Sequence, residues 1–169
     1  ALSGALDAVA AHFAERARAC GADVSLAFAL PERLPLPETD FCMAMANLLE
    51  NAVEACERAE RGEGGAGERG STAQDGARPL FVDAEARIEG NAVLVSVRNS
   101  CTPSDARALA AAAPDGVLSS DARSAKRVGD GIGLASVATL AKRYRGEVQV
   151  EIDEYAATIR VLLRTGGAR

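Results

Sequence analysis

Residues 39–59, TDFCMAMANLLENAVEACERA, carry two faces at once. Phe41, Met45, Leu48, Ala52 and Cys56 recur at helical spacing, and Leu49 and Val53 widen the stripe enough to bury against a sheet. On the other side Asn47, Asn51 and Glu54 fall into one row at i, i+4 and i+7. Asparagine inside a helix costs up to ~0.7 kcal/mol relative to alanine, and the chain otherwise fills such positions with alanine. Two readings of the row are open: a solvated polar face, or a ligand face on which amide oxygens hold a hard cation and its waters.

The rest of the composition narrows the choice of partner. At 169 residues and 48% hydrophobic content, the chain suits one domain with a sizeable core. Aromatic residues make up only 4% and tryptophan is absent, so the core is built from Leu, Val, Ile and Ala, and base-stacking platforms for single-stranded nucleic acid are excluded. The net charge is −5 and no Lys/Arg run is long enough to track a phosphate backbone, which excludes a nucleic-acid partner. Cysteines 20, 42, 56 and 101 lack CxxC spacing and read as reduced thiols. No apolar run reaches the ~20 residues of a membrane span, so no membrane contact by this chain is expected. Because it begins with alanine, the sequence reads as a piece of a longer protein.

Outward from the central helix, residues 2–19 predict a helix with Leu2, Leu6, Val9 and Phe13 on one stripe and a surface His12 beside Phe13. Residues 23–30 alternate as a half-buried strand that Pro31, Pro35 and Pro37 end. Residues 60–79 hold many glycines and charges and no apolar anchor, and predict a flexible insertion. Gly65, Gly67 and Gly70 match GxGxxG there, but the match trails a helix into a loop, the reverse of a dinucleotide fingerprint. A hairpin turning at Glu89-Gly90 follows, its second strand (91–98) apolar enough on both faces to be central. Residues 102–128 contain a short helix capped by Thr102-Pro103 but few large apolar residues, so the segment reads as a poorly anchored lid or a plain long loop. A helix then opens at residues 129–133 and closes on Lys142, Arg143, Arg145 and Gly146, the last taken as a C-cap glycine. Strands over 147–152 and 157–163 end the chain.

Asn47-Leu48-Leu49-Glu50-Asn51-Ala52 resembles the N box of the GHKL ATP-binding superfamily, and Gly129-Asp130-Gly131-Ile132-Gly133-Leu134 resembles its second glycine box. The element order is similar to the Bergerat fold of that superfamily. That implies an α+β class and a two-layer α/β sandwich, a mixed sheet with helices packed on one face. Within the superfamily the chain most resembles catalytic domains of sensor histidine kinases of the peptide quorum-sensing receptor type, over nearly its whole length except the Gly-rich insertion. The resemblance divides it into a linker helix (1–20) and an ATP-binding catalytic domain (21–169), with the insertion at 60–79 and an ATP lid at 102–128. Where relatives carry Asp-x-Gly-x-Gly at the end of the central strand, this chain has Asn99-Ser100-Cys101.

The resemblance implies ATP and Mg²⁺ as ligands. Asn51 would be the magnesium ligand, and Asn47 its phosphate-side neighbour where hydrolysing relatives place a glutamate. Gly129, Gly131, Gly133 and Leu134 would let backbone approach the phosphates, and Lys126 or Arg127 would reach the γ-phosphate. Asn99 would meet the base, reading adenine less strictly than a carboxylate because an amide presents either oxygen or NH₂. The implied reaction is phosphoryl transfer to a histidine on dimerisation helices upstream of residue 1, then on to a response regulator. The parent would be a membrane-anchored homodimer with this domain in the cytoplasm, and the fragment inactive alone. A serine kinase acting on a sigma-factor system, and a nucleotide-binding module without transfer activity, are the rival readings.

Overall fold

The computed structural model describes residues 4–62, 78–120 and 132–165. The elements are α1 (Gly4–Ala19), β1 (Asp23–Ala29), α2 (Glu38–Glu60), β2 (Phe81–Glu89), β3 (Ala92–Ser100), α3 (Pro103–Ala112), α4 (Ile132–Arg143), β4 (Glu147–Asp153) and β5 (Ala156–Arg164). The strands form one mixed five-stranded sheet in the order β1-β2-β3-β5-β4. β1 runs parallel to β2 and the other neighbours are antiparallel, so the class is α+β as the sequence predicts. Most of the Gly-rich insertion lies outside the described residues.

α2 is the centrepiece because its apolar stripe is wide. Phe41, Met45, Leu48, Leu49, Ala52, Val53 and Cys56 are all buried against the sheet, with α1 and α4 alongside. Proline at the N-cap and Glu38 and Asp40 in the first turn start the helix where the dipole favours acids. In the hairpin, Gly90 at φ 60° supplies the left-handed residue of the tight turn.

Three expectations change. The buried stripe of α1 is Leu6, Ala10, Ala14 and Ala17, with Val9 and Phe13 only partly covered, because small side chains let the helix approach α2 closely. Arg16 then reaches Glu57 on α2 at 2.7 Å. Residues 4–19 are therefore packed into the same core as α2. β3 is central, as expected, but only one of its faces is roofed by helices. The other carries Ser96 and Arg98 among Asp83, Glu85, Glu151 and Arg160, the last two paired at 2.7 Å.

The third change concerns residues 102–120, which are better anchored than their composition suggests. Thr102 Oγ1 accepts from Asp105 N at 3.0 Å and Pro103 occupies the first turn, so α3 starts as the sequence predicts. Ala106, Leu109, Ala112, Ala113 and Leu118 are buried, and Val117 pairs with Gln149 on the edge of β4. Alanines do the packing that a search for large apolar residues overlooks. Only the later part of the expected lid, from residue 121, lies outside the described residues.

Candidate functional site

One side of α2 forms the floor of a cleft. Asn51, Ala55 and Arg58 succeed one another along it. The walls are Asn99 and Cys101 at the end of β3, Asp105, Leu109 and Ala112 on α3, Leu134 on α4, and Ala157 on β5. The lining is mainly apolar with a few converging polar groups, the usual character of a small-molecule site. Its free volume is about 30 Å³, room for about one water. A larger ring enters only if a wall yields, and α3, which packs mainly on β4, is the wall with fewest ties.

At the β3 end the polar groups are fixed. Asn99 is 2% exposed, and its Nδ2 donates to Ser100 O at 3.0 Å, which leaves Oδ1 as the atom it offers. Ser100 Oγ accepts from Phe81 N at 2.8 Å and donates to Phe81 O at 3.3 Å, so the strand end that carries Asn99 is pinned to β2. In this arrangement the amide presents Oδ1 to the cleft, and turning it over would set its oxygen against the Ser100 carbonyl. Opposite, Arg58 Nε donates to both carboxylate oxygens of Asp105 at 3.0 and 3.1 Å. Burial, followed by the charge of Asp105, pushes the Cys101 thiol up to about 11, so it is no nucleophile at neutral pH.

At the other end α4 begins against α2. A Cβ on Gly133 would lie 3.4 Å from Asn47 Cβ and 3.5 Å from its Oδ1, so glycine brings the start of α4 close to the Asn47 carboxamide. The first N–H groups of α4 have no acceptor within the helix and its dipole is positive there. Asn47 and Asn51 are half-buried, and neither amide hydrogen-bonds to another described residue.

The sequence-derived candidates thus divide. Asn51, Asn99 and Leu134 line one cleft, and Gly133 stands across from Asn47 with room for about a methyl group between them. Lys126, Gly129 and Gly131 lie outside the described residues. Glu54, placed in the asparagine row by spacing, is not among the lining residues, and Ala55 and Arg58 continue the row instead. Arg58 and Asp105 were not singled out from the sequence. The signal for Arg58 was its position seven residues after Asn51, on the same side of the helix.

No family model and no curated protein matches the chain. Solved structures do match it. A histidine kinase from Burkholderia phymatum STM815 superposes with a TM-score of 0.62 at 17% identity, covering 99% of this chain and 70% of that one. The catalytic domain of histidine kinase ThkA, in a nucleotide-free form, gives 0.59 at 14% identity over 95% of this chain and 90% of that one. Full-length ShkA in complex with AMPPNP gives 0.54 at 24% identity, over 95% of this chain and 29% of that one. Across such distances what is shared is the fold, that of histidine kinase catalytic domains.

Proposed function

We propose that this chain is the ATP-binding catalytic domain of a sensor histidine kinase, of the peptide quorum-sensing receptor type. The observation that carries the reading is convergence. Asn51, Asn99 and Leu134, far apart in sequence, line one cleft, and the start of α4 lies close to Asn47 at its side. The matching structures described above are histidine kinases, and one of them was solved with AMPPNP.

In this reading the base lies between Asn99 and α3, and the phosphates lie toward Asn47 and the start of α4, whose N–H groups and dipole suit anions. Amide oxygens on two asparagines that bond to no other described residue are hard donors of the kind Mg²⁺ takes. Among the described residues no cluster of three or more His, Cys, Asp or Glu side chains forms a metal cage. Asn51 would hold the ion, which would supply charge neutralisation at the phosphates. Lys126 is proposed at the γ-phosphate. Asn47 is not a base, and in this reading ATP is kept for transfer. The acceptor is a histidine on dimerising helices of the parent, and a response regulator takes the phosphoryl group next. His12 is exposed, stacked edge-on against Phe13, and is not among the residues of the cleft. No helix among the described residues is long and apolar enough to cross a membrane, and the membrane anchor is proposed for the parent.

Calorimetry with Mg-ATP tests this. The chain is expected to bind, with labelled ATP neither hydrolysed above a protein-free blank nor placed on His12. Asn51→Ala is expected to abolish magnesium-dependent binding while stability rises by some tenths of a kcal/mol, as alanine replaces a helix-interior asparagine. A marked drop in melting temperature would make Asn51 structural and remove the ion site.

A further inference from the structure

Along α2 this side of the helix runs from Asn47, beside the cleft, through Asn51 and Ala55 to Arg58, which line it. Eleven residues at 1.5 Å rise span about 16 Å, comparable to an extended nucleoside triphosphate. With Asn47 at the α4 start, Arg58 stands at the opposite, base-binding end, beside Asn99. Its side chain is 19% exposed and Asp105 is 14% exposed. Both Asp105 oxygens are bound by Arg58 Nε alone, and Nη1 and Nη2 have no acceptor among the described residues. The guanidinium is thus held in one orientation with two donors unspent on the wall of a largely apolar cleft. An ion pair that served only to tie α2 to α3 would turn a two-nitrogen fork toward the carboxylate, the favoured bidentate geometry.

We infer that Arg58 is a specificity-determining residue for the base. Its Nη groups donate to a ring-nitrogen acceptor of a purine while Asn99 Oδ1 accepts from an exocyclic amine, and Asp105 is the positioning residue that aims the fork. This donor and acceptor pair fits a 6-aminopurine. A 6-oxopurine would set its carbonyl oxygen against Asn99 Oδ1, whose amide cannot flip without losing the bond to Ser100 O. The assignment rests on the nucleotide reading of the cleft above.

The test compares two probes, Mg-ATP and base-less Mg-tripolyphosphate, on the wild-type chain, Arg58→Gln and Asp105→Asn, with affinities from calorimetry and folding followed by circular dichroism. Arg58→Gln is expected to weaken ATP about tenfold or more, the size of a hydrogen bond from a charged donor, and to leave tripolyphosphate within about twofold. Asp105→Asn keeps the Nη donors and is expected to weaken ATP by less than Arg58→Gln. Equal losses in the two variants would reduce the pair to a tether and overturn the inference, as would equal losses on both probes or no loss at all. If Arg58→Gln does not fold, Arg58→Lys, which keeps the charge and removes the fork, is judged by the same outcomes. Wild-type chain that binds ATP no better than tripolyphosphate would overturn the role of Arg58 and leave the phosphate site standing. Wild-type chain that binds neither would overturn both.

Discussion

At its C-terminal end α4 is locked to the body. Tyr144 Oη donates to Asp40 Oδ2 at 2.7 Å, Gly146 N donates to Ala141 O at 2.7 Å, and Arg164 reaches back to the carbonyls of Tyr144 and Arg145 at 3.0 Å. At its N-terminal end a Cβ built on Gly133 would only reach ordinary van der Waals distance from the Asn47 side chain. The same helix is a structural member at one end and a wall of the site at the other. The two glycines near its ends differ accordingly: one leaves no room for a side chain, and the other leaves an approach open. A small change at the open approach beside Gly133 is therefore expected to cost less global stability than one at the locked end.

The sharpest way to break this contrast is Gly146→Ala. A Cβ there would overlap the backbone carbonyl of Leu162 on β5, and backbone cannot step aside as a side-chain tip can. A loss of about 3 kcal/mol or more is expected, read as a shifted urea midpoint. A loss under about 1 kcal/mol would show that the β5 carbonyl yields and that this end is no lock.

Gly146 also shows where the sequence was legible and where it was not. A glycine after Lys142, Arg143 and Arg145 marked the helix end correctly, but the residue in the left-handed region is Arg145, at φ 54°, and Gly146 is there for its close approach to β5. The end of a helix is a local property; contact with a strand sixteen residues on is not. The cleft divides the same way. Asn47, Asn51 and Gly133 stand out because each breaks a local rule of helix composition or carries a motif. Arg58 and Asp105 obey local rules, one basic near a helix end and one acidic near a helix start, and acquire their role only when folding joins them across 47 positions. The alanine-built packing of α1 and α3 escaped notice for a related reason: alanine is a good helix former anywhere, so its presence does not reveal which face is buried.

Tyr144→Phe, with a smaller effect, isolates the side-chain part of the lock. It removes one hydrogen bond to a carboxylate and keeps the ring, so a loss of about 1–2 kcal/mol is expected, with Mg-ATP affinity unchanged. The phenol is pushed above its ordinary value of 10.0, by burial first and then by the hydrogen bond to Asp40 and the charge of Asp40. A folded-state value raised in this way means that the contribution is complete below pH 10 and is lost as pH rises through the folded-state value. The difference in stability between wild type and Tyr144→Phe should therefore shrink above pH 10. A difference that stays constant through that range would mean that the Asp40 contact contributes nothing.

The smallest effect on stability, and the most telling, is expected from Gly133→Ala. Gly133 has no left-handed φ to relieve, and the added methyl would lie 3.4 to 3.6 Å from atoms of the Asn47 side chain, in contact without overlap. Replacing glycine in a helix recovers up to about 1 kcal/mol, less in a first turn, so stability should hold or rise by a few tenths. The methyl nevertheless fills the approach between the start of α4 and the Asn47 carboxamide, where the phosphates are proposed to lie. Mg-ATP affinity should fall severalfold while the urea midpoint stays. Loss of both together would mean that the start of α4 is packed as tightly as its end and would erase the contrast. Unchanged affinity in a stable variant would remove Asn47 from the phosphate side and leave Asn51 and Asn99 to define the ligand.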